Sequence, residues 1–204
     1  MGHRALIPVK QLSAVKTRLS EHLTPEQRST LVLDMLHRVI DALHASEVLE
    51  CISVVSADPE VLERARRWGV HGLVEEQPGH NQALTAAAHH AIHHGATTLL
   101  TLSADLPLLK GQDVRAMIDL SASHQVVLAP SRDGTGTNAF LARPPLAVPY
   151  VFGINSLQHY VAQARALKLD HTFYRQLGTE LDIDTIEDLQ LFRHYDQCAT
   201  LVNR

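Results

Sequence analysis

Three aspartates supply the residue types from which this sequence can assemble a metal-assisted reaction centre. Asp105 lies in the stretch "TTLLTLSADLPLL" (97–109), where an apolar run is followed by an acid and then by Pro107, which stiffens the exit. Asp182 and Asp184 stand two apart in "LDIDTIEDLQLF", so an extended backbone points both carboxylates the same way. Magnesium takes hard oxygen donors, commonly one or two carboxylates, with phosphates completing its octahedron. Asp105, Asp182 and Asp184 are therefore the candidate ligands for the Mg²⁺ of a nucleoside triphosphate. A plainer reading makes Asp105 a turn residue and Asp184 or Thr185 a helix cap, with Asp188 closing a capping-box variant. That reading accounts for one acid of the Asp182/Asp184 pair, not both.

Anion-binding chemistry has its own candidates. The first twenty residues hold Arg4, Lys10, Lys16 and Arg18 and no acid, although the whole chain has a formal net charge of −4. The loop "KQLSAVKTRLS" lacks the G-x-x-x-x-G-K pattern of a Walker loop. It reads either as a solvated basic loop or as a phosphate contact, with lysine acting as a point charge and arginine as a fork. In "APSRDGTGTNAFLARPP" (129–145), Gly134 and Gly136 let the backbone approach a ligand, and Thr135 and Thr137 add hydroxyls. Successive amides there suggest an anion nest, a hairpin turn being the alternative. "VFGINSLQHYVAQA" places Ser156 at a helix start, as an anion site or simply a cap.

Asn81, in "EEQPGHNQAL" (75–84), is the expected N-cap of a helix with inner face Leu84, Ala87, Ala88, Ala91 and Ile92, and it is also a candidate nucleotide contact. The fourteen histidines include the i, i+4 pairs His89/His93 and His90/His94. Such pairs can chelate zinc. The helical wheel turns all four away from Leu84, Ala88 and Ile92, and no H-E-x-x-H glutamate is present, so a solvated face is expected.

These residues need a scaffold. Apolar runs at 4–9, 51–56, 70–74, 97–103, 125–130 and 138–142 read as strands. Val32, Met35, Leu36, Val39, Ile40 and Leu43 recur at helical spacing, and "TPEQ" before them supplies an N-cap (Thr24), a first-turn proline (Pro25) and a capping box (Gln27). Further helices are predicted near 59–68, 81–94, 111–122, 155–167 and 186–196. Strand–helix alternation with near-continuous apolar strands means an α/β fold, a mainly parallel sheet flanked by helices. Such sheets bind ligands at the carboxyl ends of their strands, where the candidates fall.

A chain of 204 residues, 45% hydrophobic and 20% charged, with no repeat or linker, fits a single domain over 1–204. The acidic net charge argues against bulk nucleic-acid binding. No apolar run approaches the roughly 18–20 residues of a membrane span. The absence of a signal-peptide layout, and only Cys51 and Cys198, point to a cytoplasmic protein.

The segments "ALIPVKQLSAVKTRLS", "LSADLPLL", "APSRDGTGTNAFLARPP", "FGINS" and "LDIDTIEDL", in that order, resemble the guanylyltransferases of coenzyme F420 biosynthesis. These form the CofC/FbiD family, relatives of the MobA-like nucleotidyltransferases with their Rossmann-like, nucleotide-diphospho-sugar transferase fold. The resemblance spans almost the whole chain, and "RDGTGTNA…RPP" followed by Phe152, Gly153 and Ser156 is its most specific part. It implies transfer of GMP from GTP to phosphoenolpyruvate or 2-phospho-L-lactate, with 3-phosphoglycerate in some relatives. It matches Thr137, Gly153 and Ser156 to acceptor-binding positions and Asp105 and Asp184, with Asp182, to metal positions. Lys10, Lys16 and Arg18 fall in the triphosphate loop, and Asp105, Asp184 and Lys16 are the expected catalytic residues. The chain departs from the family pattern at Ser103 (proline), Ser131 (aspartate), Asn155 (glycine) and His80 (leucine). The rivals are a nucleotidyltransferase using CTP or another acceptor, a silent nucleotide-binding module, and a histidine-based metal protein. A homodimer is the one assembly allowed for.

Overall fold

The computed structural model describes residues 2–75 and 79–202, with side chains described through residue 197. The strands are β1 (His3–Pro8), β2 (Cys51–Ser56), β3 (His71–Val74), β4 (Thr98–Leu102), β5 (Val126–Pro130), β6 (Thr137–Ala142) and β7 (His171–Phe173). They form one seven-stranded sheet in the order β3-β2-β1-β4-β6-β5-β7. Every pairing is parallel except the two made by β6, which runs antiparallel to β4 and β5. The helices are α1 (Pro25–Ser46), α2 (Pro59–Arg67), α3 (His80–His93), α4 (Gly111–Leu120), α5 (Ser156–Ala166), α6 (Leu177–Glu180) and α7 (Ile186–Val202).

The six strands expected from the apolar runs are present within a residue at each end. Their near-continuous hydrophobicity has a direct cause, because both faces of the sheet are covered. Ala5, Ile7, Leu100 and Leu102 face a core built with α1, α2, α4 and α7, while Leu6 and Leu99 face a second core built with α3 and α5. At the start of α1, Thr24 Oγ1 accepts the Gln27 amide at 3.3 Å and the Gln27 side chain accepts the Thr24 amide at 2.9 Å. This is the capping box that "TPEQ" predicts.

Four expectations need correction. Gly79, with φ of 115°, caps α3, and Asn81 lies inside the first turn with its side chain engaged elsewhere. Ile92, expected on the inner face of α3, is 39% exposed, and Ala83 is buried there instead. β7 and α6 carry no periodicity long enough to reveal them, at three and four residues. Helix α7 runs to Val202, beyond the expected stop near 196. His89, His90, His93 and His94, on α3 and its C-cap, are exposed, as the helical wheel requires.

Candidate active site

The carboxyl ends of β1, β4 and β5 open into a cleft of about 970 Å³. Its walls include Lys10, Lys16, Arg18, Asp105, Thr137, Gly153, Ser156, Asp182 and Asp184. Of the ten residues expected to bind acceptor, nucleotide or metal or to act in catalysis, nine thus meet in one place, although Lys16 and Asp184 are 168 positions apart.

Local chemistry explains the convergence. In "LDID", Leu181 and Ile183 are fully buried, so strict alternation turns Asp182 and Asp184 towards the cleft. The Ile183 amide donates to the Asp105 carbonyl at 3.3 Å, which clamps the two acidic segments together. Just beyond, the Thr185 amide and hydroxyl each donate to Asp188 Oδ2 at 2.9 Å, and Thr185 Oγ1 accepts the Asp188 amide at 3.3 Å. Capping therefore belongs to Thr185 and Asp188, and both Asp182 and Asp184 are left for the cleft. One carboxylate oxygen from each of Asp105, Asp182 and Asp184 lies within 4.8 Å of the others.

The basic loop reaches this cluster because it is nailed down by apolar residues. Leu12, Val15 and Leu19 are buried, and the Leu12 amide donates to Asp58 Oδ2 at 2.9 Å. Lys16 lies between them at φ 49° with its side chain only 8% exposed. Its ammonium bonds Asp105 Oδ2 and, at 2.9 Å, Asp184 Oδ1. Arg18 approaches Asp184 Oδ2 at 3.6 Å.

The charges shape one another. Burial alone would lower the Lys16 pKa, but the carboxylates of Asp105 and Asp184 outweigh it and hold the ammonium above its ordinary value. Burial pushes Asp184 up, yet Lys16, aided by Arg18 and Lys10, keeps it below the usual carboxylate range. Among the described residues, Asp182 has no cationic partner of this kind. Burial, reinforced by the Asp105 charge, raises it to about 6 against a hydrogen bond from Asn138. The cluster suits a hard divalent cation. Its donors are carboxylate oxygens, and Asp105 Oδ1 is buried without a hydrogen-bond partner. An ammonium already lies between two of the acids.

The opposite wall comes from the loop after β5 and the approach to α5. Asp133 organises the first: it accepts from Ser131 Oγ at 2.6 Å, the Thr135 amide at 2.9 Å and Thr135 Oγ1 at 2.8 Å. The Gly136 amide donates to Ser131 Oγ at 2.8 Å and the Gly134 amide to the Ser131 carbonyl at 2.9 Å. The expected anion nest is thus already filled by the loop's own side chains. What the loop offers instead is Thr137, 5% exposed, whose Oγ1 is buried without a partner. Gly153 (φ 135°) and Asn155 (φ 54°) shape the turn into α5, where Ser156 is 1% exposed. Asparagine tolerates the left-handed region best after glycine, which explains how Asn155 holds this backbone. Asn81 is the tenth residue. Its amide is committed to the Phe152 backbone, donating to the carbonyl and accepting the amide, both at 3.0 Å. The adjacent His80 ring lines the cleft edge-on to Phe152, and burial and Lys10 keep it below its usual pKa.

Sequence reasoning missed Asn138 and Asp133 as organisers of the site. Each is a short polar residue beside a residue already singled out; the role of Asn138 depends on partners in another segment, and that of Asp133 on a turn whose bonds follow no period. Among the described residues, Asp105, Asp182 and Asp184 form the one group of three His, Cys, Asp or Glu side chains with metal-binding spacing, so the histidines of α3 make none.

Comparison with known proteins agrees with this architecture. A nucleotidyl transferase from Methanothermobacter has the same fold, with a TM-score of 0.73 at 14% identity over 95% of this chain and 97% of that one. The phosphoenolpyruvate guanylyltransferase of Sphaerobacter thermophilus is 40% identical over 91% of this chain and 90% of its own length. The 2-phospho-L-lactate guanylyltransferase of Methanocaldococcus infernus is 33% identical over 96% and 87%. Residues 3–200 match the sequence model described as "Guanylyl transferase CofC like". With that match running from β1 into α7, the chain belongs to the CofC-like guanylyl transferase family.

Proposed function

We propose that this protein transfers GMP from GTP to the phosphate of phosphoenolpyruvate, releasing pyrophosphate, as a step in coenzyme F420 biosynthesis; 2-phospho-L-lactate is the alternative acceptor. The observation that carries this reading is the meeting of Lys16 and three carboxylates across one cleft from an orphan threonine hydroxyl and a helix start. The name of the 40%-identical relative supplies the acceptor.

An oxygen of the acceptor's phosphate attacks the α-phosphorus of GTP, and the bond from that phosphorus to the bridging oxygen of pyrophosphate breaks. The nucleophile is already ionised, so no general base is required. The work is bringing two polyanions together and stabilising charge in the in-line transition state. Asp105, Asp182 and Asp184 would hold Mg²⁺, which when bound supplies positive charge to phosphate oxygens. Lys10, Lys16 and Arg18 draw the triphosphate in and neutralise the leaving pyrophosphate. Thr137 Oγ1, the Gly153 backbone and Ser156 at the head of α5 orient the acceptor, and Asn81 holds Phe152 and hence Gly153 in position.

The test is purified protein with GTP and Mg²⁺ and, separately, phosphoenolpyruvate, 2-phospho-L-lactate or 3-phosphoglycerate, scored by product mass. A guanylylated diphosphate from phosphoenolpyruvate is expected. Turnover with CTP but not GTP, or GTP binding with no product from any acceptor, overturns the reading.

A further inference from the structure

The position of the Lys16 ammonium has a consequence for how a cation could enter the acidic cluster. It lies between Asp105 and Asp184 on a side chain 8% exposed, and it holds one oxygen of each. Arg18 takes the other oxygen of Asp184 at 3.6 Å. Asp182 Oδ1 accepts from Asn138 at 3.1 Å. An ammonium and a divalent cation cannot share so small a space, because the ammonium occupies the oxygens a cation would need and like charges a few ångströms apart repel even beside partly exposed acids.

We propose that Lys16 is the resident counter-ion of the metal position: its ammonium fills the gap between Asp105 and Asp184 in the free protein and must leave before a divalent cation can be held there. This rests on the metal assignment made above and adds an order of events to it. The lysine stem is four carbons long and flexible, so the ammonium can move several ångströms with the loop backbone fixed by Leu12, Val15 and Leu19. Its natural destination is an incoming phosphate, for which it exchanges two carboxylate partners. Nucleotide arrival thus removes the competitor and opens the cluster in one movement. Metal and nucleotide then assist each other's binding, a coupling that is reciprocal by linkage. The left-handed backbone at Lys16 fits this role, since it aims the side chain into the cluster from a conformation that disfavours any residue bearing a Cβ.

The experiment is Mn²⁺ binding followed by electron paramagnetic resonance, without nucleotide, for the wild-type protein, Lys16→Met and Lys16→Arg. Lys16→Met should bind Mn²⁺ at least ~10-fold more tightly than wild type, within the span typical of a coupling of this kind. Lys16→Arg, which retains the charge, should resemble wild type. Should Lys16→Met fail to fold, Lys16→Gln keeps a donor to the carboxylates without the charge and carries the same expectation. Equal or weaker Mn²⁺ binding by the uncharged variant, with Asp105→Asn still impairing wild-type turnover, overturns the Lys16 proposal alone. If the tighter binding in Lys16→Met survives the addition of Asp105→Asn, the cation lies elsewhere and the metal assignment falls as well.

Discussion

The side-chain amide of Asn138 donates to Asp182 Oδ1 at 3.1 Å, and it also reaches the carbonyls of Thr179 and Glu180 at 3.1 and 3.2 Å. One group, 4% exposed, thereby fixes the segment that delivers the acids and favours ionisation of the carboxylate whose pKa burial raises most clearly. Asn138→Ala should destabilise the protein by about 1–3 kcal/mol, because it strands buried acceptors. It should also let Asp182 rise further, since a hydrogen bond to the charged form is lost. Urea denaturation measures the first effect, and a loss below about 0.5 kcal/mol, the usual range of an inert surface change, would count against the brace.

Thr137 makes a two-sided prediction. Its Oγ1 is buried and unpartnered in the free protein, an arrangement that costs stability unless a ligand supplies the partner. Thr137→Val should therefore leave the melting temperature unchanged or higher, while raising the acceptor KM roughly 10-fold, about 1.4 kcal/mol of polar contact. A rise in the GTP KM alone would move Thr137 to the nucleotide side of the cleft.

Asp105→Asn tests the acidic cluster. The asparagine is isosteric and keeps the turn, and the Asp105 backbone carbonyl still accepts from Ile183. The fold should survive and the rate should fall at least ~100-fold, about 2.7 kcal/mol of transition-state stabilisation. Turnover near wild type from a folded variant would remove Asp105 from the reaction.

Much of this was legible because burial leaves marks in sequence. Strands covered on both faces read as apolar runs, and the Leu181–Asp184 alternation already implied that two acids share a face. The loop 10–20 was read through its charges, whereas its placement depends on Leu12, Val15 and Leu19. Those three positions stand at i, i+3 and i+7, a helical spacing, yet the segment is too short to read as a helix and forms two short 3-10 turns. Asn81 misled for a related reason. It is a good capping residue close to a helix start, but Gly79 accommodates a φ of 115° that asparagine would resist, and a partner 71 positions away takes its amide. Long-range side-chain-to-backbone bonds leave no periodic trace, which is why the bracing role of Asn138 emerged only from the structure. Asp133 bonds its near neighbours Ser131 and Thr135, and a local turn of that kind leaves no periodic trace either.

Asn155 at φ 54° lies between Gly153 and the buried Ser156. Asn155→Gly should be nearly neutral, within about 0.5 kcal/mol, while Asn155→Val should cost about 1–2 kcal/mol, because a β-branched residue resists the left-handed region. Chemical denaturation of the two variants checks the pair. An equal cost for both would show that the asparagine side chain, and not its backbone preference, is what the turn uses.

Asp133 gives a pH signature. Bonds from the Ser131 hydroxyl, then from the Thr135 amide and hydroxyl, draw its carboxyl down to about 2 from an ordinary 3.8. A depressed acid contributes stability that is fully present above the unfolded value and is lost as pH falls through the folded one. The window therefore lies between about 4 and 2, and nothing should change around neutrality. Because Asp133 is an exposed residue, solvent screening holds the contribution under about 1 kcal/mol. Carbon-detected NMR titration should place its midpoint well below that of an unperturbed aspartate, and Asp133→Asn should remove the step. The same variant should loosen the turn that presents Thr137 and so raise the acceptor KM with little change in the GTP KM. A carboxyl titrating at its ordinary value would mean that the three bonds do not persist in solution, and that Thr137 is held by β6 alone.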